Sequence, residues 1–320
     1  MFRILALDGG GIKGTFTAAI LAELERQTQL RLVDHFDLIV GTSTGGIIAI
    51  GLGLGIPAAD LLKLYSNRGG EIFPSSGFLG GQRGLLRQLS GPSSINQCCA
   101  VFLCNISVPK ARPLLVPLVI PTYEALRGRL YLMKTAHHPQ HSRDYLADAV
   151  DVALATSAAP TYFDAAPFPL RPGESYLDGG LWANSPTMVG IIEAVAFFGV
   201  PLEEIDILSV GTTDDVRSFS EMRTAGVLKW NTGLIDVLMR TQGESALAQA
   251  RLLVGGRLLR IDLSRPPGSY SLDNATRTKI DELAALGASK GSEAAIVSAV
   301  KTRFLNGVPP QEYQPTYTLS

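Results

Sequence analysis

Histidine, cysteine and an excess of charge of either sign are all scarce in this chain of 320 residues. Its three cysteines, at positions 98, 99 and 104, form an odd, clustered set that does not resemble a disulfide framework. The first residues predict a strand and a glycine turn instead of a secretory leader, so we expect a cytoplasmic protein. With 28 basic against 29 acidic residues, the chain lacks the basic surface of a general binder of DNA or RNA polymers.

The positions of the four histidines exclude the most familiar arrangement of a serine hydrolase. They are His35, His137, His138 and His141, and the 179 residues after His141 contain none. An α/β-hydrolase places its histidine after the catalytic acid and late in the chain. The last three histidines could form a metal cluster, but no cysteine or carboxylate follows them at metal-ligand spacing except Asp144. We therefore favour an exposed loop, with the metal cluster as the alternative.

Apolar residues make up 46% of the chain and charged residues 18%, which is enough for a large buried core. Predicted strands at 2–8 and 36–40 are each followed by glycines and then by a helix. The first helix, at 15–30, is amphipathic, and the second, which extends through residue 54, is apolar. This alternation favours a mostly parallel α/β sheet flanked by helices. Further strands are predicted at 114–120, 129–134, 175–177, 204–210 and 257–263, and helices at 144–155, 187–198, 230–253 and 278–301. Residues 69–94 are rich in glycine and serine and predict a long loop, a candidate gate.

Gly9, Gly11 and Gly14 match the glycine spacing of a dinucleotide-binding turn between a strand and a helix. That fold also requires an acidic residue at the far end of the second strand to hold a ribose. Here Asp34 and Asp37 precede the second strand instead. A non-catalytic nucleotide-binding α/β protein therefore remains an alternative, but not the favoured one.

The sequence Gly-Thr-Ser-Thr-Gly at 41–45 lies between an apolar strand and an apolar helix, the context of a nucleophile elbow. Gly41 and Gly45 would leave room for the close approach of strand and helix at this sharp turn. Ser43 would then lie at the start of a helix, whose dipole favours developing negative charge. The alternative is a plain loop that caps the helix.

A serine without a late histidine needs a carboxylate as its base, and Asp178 is the candidate. It follows a short apolar run and precedes Gly179 and Gly180, which would let the backbone approach the elbow closely. Asp-Gly-Gly alone is also a common turn. An aspartate of ordinary pKa, about 3.9, suits a serine hydroxyl poorly, so this one would have to be desolvated and aimed at Ser43.

Taken together, DGGGIKG at 8–14, GTSTGG at 41–46 and DGG at 178–180 resemble the patatin-like phospholipase family. Further similar stretches lie at 155–163, 184–186 and 209–212, so that the resemblance covers the chain to about residue 305. It implies a three-layer patatin-like α/β fold with a nucleophile elbow, in a domain of residues 1–305 followed by a tail of residues 306–320.

The resemblance also implies roles for individual residues. Ser43 and Asp178 would form a catalytic dyad that cleaves acyl esters of membrane phospholipids in two steps, without a metal or another catalytic cofactor. The backbone N–H groups of Gly10 and Gly11 would form the oxyanion hole. The supporting glycines would be Gly9 and Gly14 in the oxyanion turn, Gly41 and Gly45 at the elbow, and Gly179 and Gly180 after the aspartate.

A second resemblance is to bacterial phospholipase effectors that cyclic oligonucleotides activate in anti-phage defence. It implies a cyclic di- or trinucleotide ligand, a site of action at the inner membrane surface and a candidate homo-oligomer. Arg68, Arg83 and Arg87 are candidate anchors for the phosphates of an activator, with ordinary solvated loop charge as the alternative reading. A constitutive lipid acyl hydrolase, with no activating ligand, is the alternative function.

Overall fold

The computed structural model describes residues 1–72, 114–160, 162–215, 227–266, 269–270 and 274–318. Its strands are β1 (Phe2–Leu7), β2 (Leu38–Gly41), β3 (Leu118–Glu124), β4 (Arg129–Lys134), β5 (Ala166–Pro167), β6 (Ser175–Asp178), β7 (Ile205–Val210), β8 (Asp214–Asp215), β9 (Leu258–Ile261) and β10 (Ser264–Arg265). Its α-helices are α1 (Gly14–Thr28), α2 (Thr44–Gly53), α3 (Ala58–Ile72), α4 (Ala149–Ser157), α5 (Gly180–Ala183), α6 (Thr187–Phe197), α7 (Val227–Val254), α8 (Arg277–Gly291) and α9 (Ala294–Val300).

The central sheet has eight strands among the described residues, in the order β5-β6-β3-β2-β1-β7-β9, with β4 paired to β3. The neighbours from β3 through β2, β1 and β7 to β9 run parallel, whereas β4, β5 and β6 are antiparallel to their partners. Leu7 lies opposite both Gly41 and Val210, so β1, β2 and β7 end at the same edge of the sheet. The loops that follow these three strands therefore converge there.

Helices cover both faces of the sheet, because successive side chains of a strand point to opposite sides. Leu5 and Leu7 belong to an apolar cluster with residues of α1, α2 and α3. Ile4 and Ala6 belong to a second cluster, with residues of α6 and α7. The predicted three-layer α/β architecture is confirmed. Among the described residues, no helix is both long and apolar enough to cross a membrane.

Several predicted boundaries are wrong. The helix Ala58–Ile72 was not predicted, and its last turn takes up residues 69–72 of the supposed loop; residues 73–94 lie outside the described part of the chain. The helix predicted at 144–155 starts only at Ala149, because the side chain of Asp148 caps it by accepting a hydrogen bond of 2.9 Å from Val150 N–H. The helix predicted at 278–301 is two helices, α8 and α9.

The strand predicted at 114–120 is displaced towards the carboxyl end and runs from Leu118 to Glu124. Proline has no N–H to donate to a ladder, so Pro121 is an unusual residue inside a strand. It is nevertheless accommodated opposite Leu132 of β4. The displacement matters because Thr122, beyond the predicted end, is the residue that pairs with Asp178.

Candidate active site

Ser43 occupies a strained turn between β2 and α2. Its backbone has φ 55° and ψ −123°, a region that few residues other than glycine adopt. The neighbouring glycines permit this geometry: a Cβ on Gly41 would collide with the carbonyl oxygen of Gly45, and a Cβ on Gly45 with the carbonyl oxygen of Leu7. The sharp predicted elbow is present, and both glycines are needed for close packing.

Asp178 lies beside Ser43 although 135 residues separate the two in the chain. The Ser43 hydroxyl donates to Oδ2 of Asp178 at 2.7 Å, and Oδ1 accepts the N–H of Gly180 at 2.7 Å. Burial raises the pKa of Asp178 to about 6, against the lowering effect of these two hydrogen bonds. Asp178 is therefore a desolvated carboxylate that points at Ser43, as the sequence required of a base. Among the described hydrogen bonds, none links Ser43 or Asp178 to a histidine.

Gly179 and Gly180 fit the aspartate closely against the sheet. A Cβ on Gly179 would collide with the carbonyl oxygen of Pro121 in β3. A Cβ on Gly180 would lie 2.5 Å from the methyl group of Met239 and 3.0 Å from Oδ1 of Asp178. The two glycines keep this approach open, and Gly180 also supplies the N–H that Asp178 accepts.

Thr156, near the end of α4, connects the elbow to β3. Its hydroxyl accepts the N–H of Ser43 at 3.0 Å and donates to the carbonyl of Pro121 at 2.7 Å. Its own carbonyl accepts the N–H of Gly179 at 3.3 Å. Thr156 lies in the stretch 155–163 that resembles the family, but the sequence predicted no role for it. A polar threonine within an otherwise apolar helix could have indicated such a role.

The glycine turn after β1 faces the elbow. The N–H of Gly9 donates to the carbonyl of Asn184 at 2.9 Å, whereas the N–H groups of Gly10 and Gly11 have no acceptor among the described residues. Gly11 has φ 57°, which favours glycine. A Cβ on Gly14 would collide with the side chain of Thr44, so this glycine lets α1 approach the elbow helix.

The family model described as "Patatin-like phospholipase" matches residues 5–191. The chain belongs to the patatin-like phospholipase family. It is similar to the "cGAMP-activated phospholipase" of Vibrio cholerae, with 34% identity over 91% of this chain and 90% of that protein. A protein of the same name from Pseudomonas aeruginosa is 33% identical over 83% of this chain and 79% of its own length. Among solved structures, VipD from Legionella pneumophila is similar at 14% identity, covering 90% of this chain and 67% of that chain, with a TM-score of 0.43.

Membership of this family confirms the expected class of enzyme, a lipid acyl hydrolase with a patatin fold. It also accounts for the glycine turn at residues 9–14 as part of a hydrolase fold. The dinucleotide interpretation of these glycines is left without support.

The expectation that the later histidines lie in an exposed loop is wrong for two of them in this patatin-like phospholipase. The side chains of His137 and His141 are 1% and 7% exposed. His137 Nε2 lies 2.9 Å from Oε1 of Glu193, a residue of α6 that the sequence analysis did not single out. The loop is covered because α6 packs this buried carboxylate against it. The signal was a lone glutamate in an otherwise apolar helix.

His137, His141 and Glu193 each offer a ligand atom, and these atoms lie within 4.8 Å of one another, so they are a group that could hold a metal ion. The ammonium group of Lys134 already supplies positive charge next to Glu193. Lys134 Nζ lies 2.6 Å from Oε2 of Glu193, 3.5 Å from Nε2 of His141 and 4.1 Å from the ring centre of Phe197. The group therefore contains an internal ion pair between Lys134 and Glu193.

The candidate activator residues are only partly described. Arg68 lies in α3, whereas Arg83 and Arg87 lie outside the described residues. The three arginines are thus not brought together by the part of the chain that the structure describes.

Proposed function

We propose that this patatin-like phospholipase cleaves acyl esters of membrane phospholipids with Ser43 as nucleophile and Asp178 as base, within a domain of residues 1–305. The observation that carries the proposal is the 2.7 Å hydrogen bond from a strained serine to a buried carboxylate. A pKa of about 6 leaves Asp178 ionised at neutral pH and close enough to the working pH to accept a proton.

In the first step, Ser43 Oγ attacks the ester carbonyl while its proton passes to Oδ2 of Asp178. The tetrahedral intermediate collapses, the lysolipid oxygen leaves with that proton, and an acyl-serine remains. In the second step, Asp178 takes a proton from water, whose oxygen attacks the acyl-serine and releases the fatty acid. The proton then returns to Ser43, and both groups are restored.

Negative charge develops on the carbonyl oxygen in both steps. The N–H groups of Gly10 and Gly11, which have no acceptor among the described residues, are the proposed donors to this oxygen. The Gly9 N–H is already bonded, so Gly9 shapes the turn together with Gly14. One such donor contributes on the order of 100-fold to 1000-fold in turnover.

For regulation, we propose activation by a cyclic di- or trinucleotide. The support is similarity over most of the chain to two proteins that carry the name cGAMP-activated phospholipase. The enzyme would then act in the cytoplasm at the inner membrane surface in anti-phage defence, with a homo-oligomer as a candidate assembly and no role for DNA or RNA polymers. Arg68, Arg83 and Arg87 are the candidate anchors for the activator.

Release of fatty acid from phospholipid vesicles tests both parts of the proposal. The purified protein is assayed alone, with cGAMP and with other cyclic di- and trinucleotides, and Ser43→Ala serves as the inactive control. We expect activity that needs one nucleotide and is absent from the control. Full activity without any nucleotide would leave a constitutive lipid acyl hydrolase, and activity in Ser43→Ala would contradict the dyad.

A further inference from the structure

Thr212, in the loop after β7, holds the peptide group that joins Gly9 to Gly10. Its buried hydroxyl donates to the carbonyl oxygen of Gly9 at 3.1 Å. In a planar trans peptide, the carbonyl of one residue and the N–H of the next point in opposite directions. The hydrogen bond from Thr212 therefore also fixes the direction of the Gly10 N–H, away from Thr212.

The two sides of this turn face different neighbours. A Cβ on Gly9 would collide with Asn184 Oδ1 and would lie 3.3 Å from Cβ of Ser43, whereas a Cβ on Gly10 would collide with the side chain of Thr212. Thr212 therefore packs against one side of the glycine turn, and Ser43 lies on the other side. An N–H that points away from Thr212 is free to face an oxygen bound near Ser43.

The residues on both sides of Thr212 are held at their backbone groups. The N–H of Gly211 donates to the carbonyl of Ile261 at 2.9 Å, and its carbonyl accepts the hydroxyl of Thr17 at 2.8 Å. The N–H of Thr213 donates to Oδ1 of Asp262 at 3.2 Å, and its carbonyl accepts Lys13 Nζ at 3.2 Å. These contacts leave little freedom for the hydroxyl of Thr212 to move.

Thr213 has φ 80°, a strained value that persists only where its surroundings hold it. Asp262, which supplies part of that support, is itself fixed by Arg260 Nη2 at 2.5 Å. The same nitrogen lies 2.6 Å from Oδ2 of Asp8, the residue immediately before the glycine turn. Burial lowers the pKa of Arg260, but Asp8 and Asp262 outweigh it and leave this pKa above its ordinary value, so the guanidinium stays charged.

We propose that Thr212 is a positioning residue, which orients the Gly10 N–H towards the carbonyl oxygen of the substrate. This inference rests on the proposed function, because it assigns the support of the proposed oxyanion hole. Thr212 does not touch the substrate; it acts through the Gly9–Gly10 peptide. The hydroxyl is the group that matters, since it alone makes the hydrogen bond.

The test compares Thr212→Val, which keeps the shape but removes the hydroxyl, with Thr212→Ser, which keeps the hydroxyl. We expect kcat to fall about 10-fold to 100-fold in Thr212→Val, somewhat less than for a lost donor, with KM changed by less than roughly twofold. Thr212→Ser should keep most of the turnover. Affinity for a trifluoromethyl ketone, which forms an oxyanion with Ser43, should fall in parallel with kcat.

Thr135→Val is the matched control, because Thr135 is also buried and its hydroxyl also bonds to backbone groups, at 3.0 Å from Leu118 N–H. It should lose stability without a fall in kcat per folded molecule. If Thr212→Val does not fold, Thr212→Ala removes the same hydroxyl and gives the same comparison with Thr212→Ser.

Two results would overturn the proposal: unchanged kcat in Thr212→Val, or equal losses in the valine and serine variants, which would indicate packing alone. Ser43→Ala, measured in parallel, separates this failure from that of the proposed function. An inactive Ser43→Ala beside a fully active Thr212→Val leaves the dyad standing and removes only the role of Thr212.

Discussion

Asp178 and Glu193 are both buried carboxylates that accept two short hydrogen bonds, yet their surroundings give them opposite properties. Asp178 accepts from a serine hydroxyl and a backbone N–H, and burial raises its pKa to about 6. Burial also raises the pKa of Glu193, but hydrogen bonds from His137 and Lys134 outweigh it and leave this pKa below its ordinary value. The difference is the charge of the partners.

This comparison separates a carboxylate suited to accept a proton from one suited to hold a structure together. Ionised Asp178 has no cationic hydrogen-bond partner among the described residues, so protonation relieves the cost of burying its charge. Ionised Glu193 is paired with Lys134 and gains nothing from a proton. Burial alone does not identify a catalytic acid or base; the charge of its partners has to be counted too.

The largest expected effect comes from replacing each carboxylate by its amide. Asp178→Asn should lower kcat by about 10⁴-fold, the scale of losing a residue that acts with a serine nucleophile. Glu193→Gln should keep kcat per folded molecule but lose about 3 kcal/mol of stability, because the partly buried Lys134 loses its carboxylate partner. Ester hydrolysis and denaturant unfolding of both variants measure the two effects.

The reverse pattern would be an active Asp178→Asn and an inactive but folded Glu193→Gln. It would indicate that catalysis takes place at His137, His141 and Glu193 and not at Asp178. Matched circular dichroism spectra are the control that both variants fold. The two substitutions are comparable because each replaces a carboxylate by an amide of nearly the same size.

A smaller effect is expected at the proposed oxyanion turn, whose proposed donors are backbone N–H groups that do not titrate. In Gly10→Ala, the new methyl group would collide with Thr212 and displace the Gly9–Gly10 peptide. We expect kcat to fall by about 100-fold, the scale of one lost oxyanion donor. Gly11→Ala should lose at least as much, since Gly11 has φ 57°. Normal turnover in both folded variants would place the oxyanion hole elsewhere.

The last expected effect concerns the free energy of unfolding and not the turnover, and it has opposite signs for the two carboxylates. The pKa of Asp178 is higher in the folded than in the unfolded protein, so the wild type should lose stability relative to Asp178→Asn as pH rises from about 4 to 7, by up to about 3 kcal/mol. The pKa of Glu193 is lower in the folded protein, so its contribution is present above pH 4.5 and is lost as pH falls through its folded pKa.

Urea unfolding of the wild type, Asp178→Asn and Glu193→Gln between about pH 4 and 7 measures the differences in the free energy of unfolding directly. The amide variants cancel the titration of all other groups, which the proteins share. A difference between the wild type and Asp178→Asn that does not change with pH would mean that Asp178 has an ordinary pKa in the folded state.

The proposed catalytic pair, Ser43 and Asp178, could be singled out from the sequence because its signals are local. Five consecutive residues, 41–45, are enough to predict the elbow. The glycines after Asp178 indicate that the backbone there packs closely against a neighbouring segment. The chain has no histidine after residue 141, which left a carboxylate as the base. The distance between the two side chains and the raised pKa of Asp178 follow from the fold, whereas the proposal of these two residues needs only the sequence.

The supporting residues could not be predicted, because their partners lie far away in the chain. Thr212 meets Gly9 across 203 residues, and Arg260 meets Asp8 across 252. The histidine loop was predicted as exposed because nothing near it in sequence indicates that Glu193 would cover it from α6. Contacts of this kind depend on which strands are neighbours, which the local pattern does not determine.

The most direct test of the central claim is the pH dependence of the rate at which a fluorophosphonate inactivates the enzyme through Ser43. We predict that this rate rises with pH through an apparent pKa near 6, as Asp178 ionises. The same profile should persist when His137, His138 and His141 are all replaced, and the pH-dependent step should vanish in Asp178→Asn. A step that survives in Asp178→Asn, or that disappears with the histidines, would contradict the account.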